Sequence, residues 1–175
     1  MTQVVEKTKK KDEEVKVKNE VLLEESDLDK SPDVQYEHYV LETKRVTKVT
    51  KGAKRFRFSA MVVMGNKNGM VGIGKGVGTE PKLAIEKAIR KAKESMVKIN
   101  ITENTITHEI NQDFKAAKLI LKPAVVGTGI IAGKSIKPIL ELAGIKDILS
   151  KRLGSSNKKS NIYCCILALK NLKPR

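Results

Sequence analysis

The period of the apolar positions changes several times along the chain, and each change marks an element. Residues 1–35 have no period: Lys, Glu and Asp run between isolated Val and Leu, and Tyr36 is the first aromatic residue. Such a segment buries too little apolar surface to offset its ordering entropy. It reads as a disordered charged extension. Residues 39–50, rich in Val, Thr and Tyr, read as a strand, and Lys51-Gly52-Ala53-Lys54 reads as a turn. Residues 55–64 then alternate. Phe56, Phe58, Ala60, Val62 and Met64 form a core face, while Arg55, Arg57 and Ser59 begin a polar, cationic face. Asn66-Lys67-Asn68-Gly69 suits a hairpin turn because Asn and Gly tolerate positive φ, and residues 70–75 make a third strand.

The period next becomes helical. Over residues 80–98, Ile85, Ala88, Ile89, Ala92, Met96 and Ile99 form a core-facing stripe, with Lys82, Lys87, Arg90, Lys91, Lys93 and Lys98 elsewhere. Thr79 can cap this helix, and Pro81 suits its first turn. Residues 36–99 are thus expected to form an α+β domain, a three-stranded antiparallel sheet with a packed helix.

Residues 100–175 repeat the theme in another order. Residues 101–110 and 116–122 look like a strand pair, and 123–133 form a glycine-bearing connection. Residues 135–143 read as a short helix stopped by Gly144, and 146–153 as a strand. A last helix, 161–172, carries Ile162, Cys165, Ile166, Leu169 and Leu172 on one side. No repeat of solenoid length is visible.

Charge sharpens this outline. The whole chain carries +15 from 35 basic and 20 acidic residues. Residues 1–35 hold 7 Lys against 10 acids, or −3, so residues 36–175 hold 28 against 10, or +18. So basic a folded part implies a polyanionic partner, nucleic acid first. A membrane surface fits less well, since no long apolar run or Trp-bearing amphipathic segment is present. The first seven residues, Met1-Thr2-Gln3-Val4-Val5-Glu6-Lys7, lack the apolar stretch of a secretory signal.

Catalytic chemistry finds little support. His38 and His108 are the two histidines, and neither has a Cys, Ser or acid at triad or metal spacing. The adjacent Cys164 and Cys165 suit two small buried side chains rather than a disulfide or a zinc site. Gly72-Ile73-Gly74-Lys75-Gly76-Val77-Gly78 invites a nucleotide-binding reading and fails in detail. The dinucleotide fingerprint lacks its third glycine, and Gly74-Lys75 is followed by Gly76 where a P-loop needs Ser or Thr. That run is better read as backbone that packs closely and can approach phosphates. No cofactor and no metal is expected.

The basic turn says more. Lys48, Lys51, Lys54, Arg55 and Arg57 fall within ten residues around Gly52, beside a cationic strand face. These residues with Gly52, and Lys75 on the third strand, are the expected RNA-phosphate contacts, since backbone contacts dominate such interfaces. With Phe56 and Phe58 expected in the core, backbone and shape recognition is favoured over base stacking.

Longer motifs carry a resemblance. Arg45-Val46-Thr47-Lys48-Val49-Thr50-Lys51-Gly52-Ala53-Lys54-Arg55-Phe56-Arg57-Phe58-Ser59-Ala60 and Gly65-Asn66-Lys67-Asn68-Gly69-Met70-Val71-Gly72-Ile73-Gly74 closely resemble the family of the fifth protein of the bacterial small ribosomal subunit. So do Pro123-Ala124, Gly127-Thr128-Gly129-Ile130-Ile131-Ala132-Gly133, Leu140-Glu141-Leu142-Ala143-Gly144-Ile145-Lys146-Asp147, and Gly154-Ser155 before Asn157. The resemblance spans about residues 36–172. It implies an N-terminal domain related to double-stranded-RNA-binding folds and a C-terminal βαβ-type domain. It also implies a structural, non-enzymatic protein that binds small-subunit ribosomal RNA in the cytoplasm, ribosome-bound. In that family the protein steadies head against body and touches the fourth and eighth small-subunit proteins near where messenger RNA enters. The family is linked to spectinomycin sensitivity through a loop matching residues 46–56. Translational accuracy is linked to a protein contact matching residues 127–137, here Gly127, Thr128, Gly129, Ile130 and Lys137. Departures stand out: Ala53 replaces a common glycine and Lys137 a common arginine, Pro138 must lie in a first helical turn or bend the helix, and the acidic extension before Tyr36 is not part of the family core. A free-standing RNA-binding regulator and, more weakly, a nucleotide-dependent enzyme are the alternatives.

Overall fold

A computed structural model describes residues 36–102 and 104–173. The expected extension, residues 1–35, lies outside them. The first half is an antiparallel sheet in the order β1(Glu37–Thr50), β2(Ala53–Gly65), β3(Met70–Gly78), β4(Val97–Lys98), with helix α1(Pro81–Glu94) between the last two. The three expected strands are present, joined by a two-residue fourth. The helix stops at Glu94, earlier than its apolar period implied. Ser95 ends it by donating its hydroxyl to the Ile73 carbonyl, 2.6 Å, and the chain turns back to β4. Thr79 does not cap it: Glu80 is the N-cap, without a side-chain bond, and Pro81 opens the helix as expected.

Strand register explains the glycine run. Ala60, Val62 and Met64 of β2 lie opposite Gly76, Gly74 and Gly72 of β3, so these residues share a face. Ala84, Ala88 and Ala92 of α1 are fully buried against that face. A Cβ on Gly74 or Gly76 would collide with the carbonyl of Ala88 or Ala84. Glycine on the strand and alanine on the helix together bring two backbones within a side chain's thickness.

The opposite face of β2 and β3 is polar only at first. Met61, Val63, Val71 and Ile73 are buried there in one continuous core with residues of the second half. The two expected domains therefore share a core through this face of the sheet.

The second half contains a hairpin, β5(Ile101–Thr102) and β6(Thr105–Ile106), then a mixed sheet in the order β7(Ile110–Phe114), β8(Ala117–Pro123), β10(Ile148–Gly154), β9(Ile130–Ile131). The single strand expected over 101–110 is thus divided, and β7 pairs with β8 instead. Strands β9 and β10 run parallel with α2(Lys137–Ala143) between them, a small βαβ unit. Pro138 sits in the first turn of α2, and Gly144 ends it with φ 94°, both as expected. Helix α3(Lys158–Lys170) packs on the inner sheet face through Ile162, Cys165 and Leu169. Both cysteines are buried and form no disulfide, and the Cys164 thiol donates to the Gln112 carbonyl at 3.1 Å. Burial pushes both thiols up, helped by Asp113 at Cys164 and by Cys164 at Cys165.

Backbone hydrogen bonds connect the halves. In the turn between β2 and β3, Lys67 and Gly69 donate their N–H groups to the carbonyls of Leu142 and Ala143, both at 2.9 Å. The turn thereby caps the C-terminus of α2, satisfying carbonyls that a helix end leaves open. Asn66 holds the turn by accepting from the N–H groups of Asn68 and Met70. Its left-handed residues are Lys67 and Gly69 rather than an asparagine.

Candidate nucleic-acid interface

Strand β3 ends at Gly78, opposite Phe58. Strands β1 and β2 continue past that pair down to Thr50 and Ala53, so they leave the sheet as a two-stranded ribbon. Every residue from 43 to 57 is exposed. Seven of them are cationic, Lys44, Arg45, Lys48, Lys51, Lys54, Arg55 and Arg57, and none is acidic. Lys44 pairs with Glu42 at 3.1 Å; among the described residues the other six cations have no carboxylate partner. Unpaired cations on an extended ribbon suit a polyanion, because each phosphate met releases counterions.

The tip keeps its turn despite Ala53. Gly52 takes the left-handed conformation, φ 82°, and Ala53 does not, so one glycine is enough. Pairing sorts the ribbon into two faces. Lys48 lies opposite Arg55 and Val46 opposite Arg57 on one; Thr47 lies opposite Phe56 and Arg45 opposite Phe58 on the other. Phe56 is not in the core. It is 50 % exposed, with the Arg45 guanidinium 4.8 Å above its ring. The alternation itself holds, but the ribbon outruns α1, so that face has nothing to pack on. Phe58, two residues nearer the sheet, is half-buried.

The base of the ribbon is fixed through Glu42, which accepts from Lys158 of α3 at 2.9 Å. Partial burial works to raise the Glu42 carboxyl, but hydrogen bonds from Lys158 and Lys44 outweigh it and hold the pKa below the usual value.

Lys75 stands apart from the ribbon. It lines a groove of about 370 Å3 between β3 and α1, with Gly76, Val77, Lys87, Arg90 and Lys91. The helical period places these three helix cations only off the core-facing stripe. Their spacing, i, i+3 and i+4, was the available signal that they share one flank. Lys44 and Arg45 lie further from the turn in sequence, and the pairing of β1 with β2 brings them onto the same ribbon.

The 127–137 region is a separate surface. Gly127 and Gly129 both have positive φ, and their N–H groups donate to one carboxylate oxygen of buried Asp147, at 3.1 and 2.8 Å. Thr128 is held out between them. Val125 is 81 % and Val126 73 % exposed, and Ile131 is also exposed. Ile130 instead packs partly against the core, so the two isoleucines divide between surface and interior. Lys137 is exposed and 3.8 Å from Glu141.

Among the described residues no His, Cys, Asp and Glu cluster could hold a metal ion, and no helix is long and apolar enough to cross a membrane. The glycines from Gly72 to Gly78 lie within a strand and face the helix backbone, so they do not form a phosphate-cradling loop.

Comparison with known proteins gives matches in both halves. The family model described as the N-terminal domain of ribosomal protein S5 matches residues 36–100, and that of its C-terminal domain matches residues 112–175. The small ribosomal subunit protein uS5 of Campylobacter jejuni subsp. jejuni is 46% identical over 139 residues, covering 79% of this chain and 95% of that protein.

Proposed function

The chain belongs to the ribosomal protein S5 family, and from that premise we propose that it holds small-subunit ribosomal RNA through the ribbon of residues 43–57. The observation that carries this reading is the density of cations there: Arg45, Lys48, Lys51, Lys54, Arg55 and Arg57 are all exposed, and among the described residues none of them pairs with a carboxylate. Gly52 lets backbone approach a phosphate at the tip, and Lys75 extends the contact at the groove beside α1. The work is structural rather than catalytic, done bound to the ribosome in the cytoplasm. The joined core sets the ribbon and the 127–131 loop at a fixed spacing, which suits steadying head against body.

The second surface serves protein contact. Gly127, Thr128, Gly129, Ile130 and Lys137 bound a stretch with few charges, beside exposed Val125, Val126 and Ile131. Such a surface fits the apolar parts of neighbouring proteins better than phosphates. The resemblance points to the fourth and eighth small-subunit proteins, on the side where messenger RNA enters, and to an influence on accuracy. Crosslinks from position 128 in purified small subunits should reach protein; crosslinks to RNA alone would overturn this half of the reading.

The RNA half is tested by replacing Lys51, Lys54 and Arg55 together with Ala. For every phosphate no longer neutralised, the slope of log affinity against log salt should fall by roughly 0.7 to 0.9. An unchanged slope would remove the ribbon from the interface.

A further inference from the structure

We infer that Phe56, with the Arg45 guanidinium on its ring, is a stacking site for one unpaired base of RNA. This rests on the proposed RNA contact of the ribbon and names what that contact reads beyond phosphate. Elsewhere in the described residues the phenylalanines have protein partners: Phe114 packs with Tyr163 at 5.9 Å, and Phe58 is half-buried at the sheet margin. Phe56 alone of the three leaves half its surface in water. A phenyl ring so placed leaves flat apolar area that a partner's π-face can cover.

The chemistry around the ring selects the partner. Arg45 lies 4.8 Å from the ring centroid, and the charged Lys54 shares the same ribbon face by register. An apolar protein surface pressed onto this ring would have to desolvate both cations without compensation. A nucleotide brings a flat π-face for the phenyl and guanidinium planes and a phosphate for the lysine. The base must be unpaired, because a paired base already has its faces stacked inside its own helix. Stacking of this kind tolerates any base, so it adds affinity and position without sequence choice.

The full chain can be tested with two RNA hairpins that differ by a single bulged nucleotide, 2-aminopurine. Wild-type protein should quench the 2-aminopurine and prefer the bulged hairpin. F56L should weaken binding to the bulged hairpin by about tenfold and leave the unbulged affinity and both salt slopes unchanged. F56W should restore the preference, and R45K, which keeps charge and loses the plane, should weaken it less than F56L. Melting of F56L should match wild type, since the ring lies outside the core. Unquenched 2-aminopurine in the wild-type complex, or an equal loss for F56L on both hairpins, would overturn the stacking site. Failure of the phosphate contact is a different result: salt slopes that ignore the Lys51, Lys54 and Arg55 replacement. If wild type binds neither hairpin, both readings fall together.

Discussion

Gly52 lies in the turn between β1 and β2 and Gly74 within β3, and a methyl group added to each meets different surroundings. At Gly52 nothing lies within reach, and only the backbone angle, φ 82°, objects. At Gly74 the new atom would sit inside the Ala88 carbonyl and 2.6 Å from the Ala92 nitrogen. One glycine shapes a ribbon tip that leaves the body; the other lets a helix lie against a strand. The two regions also divide the labour. The ribbon carries cations and an exposed ring and contributes little to the core. The β3–α1 layer buries Ala84, Ala88 and Ala92 against the glycines of β3 and keeps its cations on the exposed side of the helix.

Three substitutions sharpen this division, in falling order of effect on stability. Gly74→Ala forces two backbones apart and should cost about 3 kcal/mol, or roughly 10 °C in Tm. A melting curve within a degree of wild type would mean that the layer can relax, and would undo the contrast. Gly52→Ala should cost about 1 kcal/mol, the strain of a left-handed alanine, and hydrogen exchange should show loosening at the ribbon tip without loss of protection in β3. Glu42→Gln should cost about 0.5 kcal/mol at pH 7, because its pairs with Lys44 and Lys158 are partly exposed. The sign of its pH dependence follows from the lowered pKa. The pair stabilises fully above the unfolded value of about 4.3, and that gain is lost as pH falls through the lower folded value. Urea unfolding of wild type and E42Q should therefore converge toward pH 3; a gap that persists there would show that charge is not what Glu42 contributes. The Lys51, Lys54 and Arg55 replacement, proposed to weaken RNA binding, should leave stability within about 0.5 kcal/mol.

The joined core has a kindred consequence. Lys67 and Gly69 of one half cap the helix of the other, so residues 36–173 are proposed to melt in a single transition, with the domain limits near residue 100 marking sequence segments rather than separate folding units.

Much of this was legible in residue order. Alternation over 55–64, the Asn66–Gly69 turn, the Pro81 and Pro138 starts and the Gly144 stop are local signals, and each is set by backbone conformations that neighbouring residues impose. The cationic cluster was legible too, since charge does not need a fold to be counted. Local signals do not reveal where an alternating strand stops having something to pack against. Phe56 and Phe58 look identical in period, and only the length of the ribbon past Gly78 leaves the first in water. The same holds for Met61 and Val63, whose face begins with arginines and ends in a core, and for Asp147, whose carboxylate meets Gly127 and Gly129 only once β10 lies beside β9. Sequence determined the longer elements, their order and the sign of the partner's charge, because those depend on near neighbours and on sums. It did not determine the two-residue strands β4, β5, β6 and β9, which exist only through their pairing partners. Tertiary structure alone decided which side chains are covered, because burial depends on surfaces brought together from distant parts of the chain.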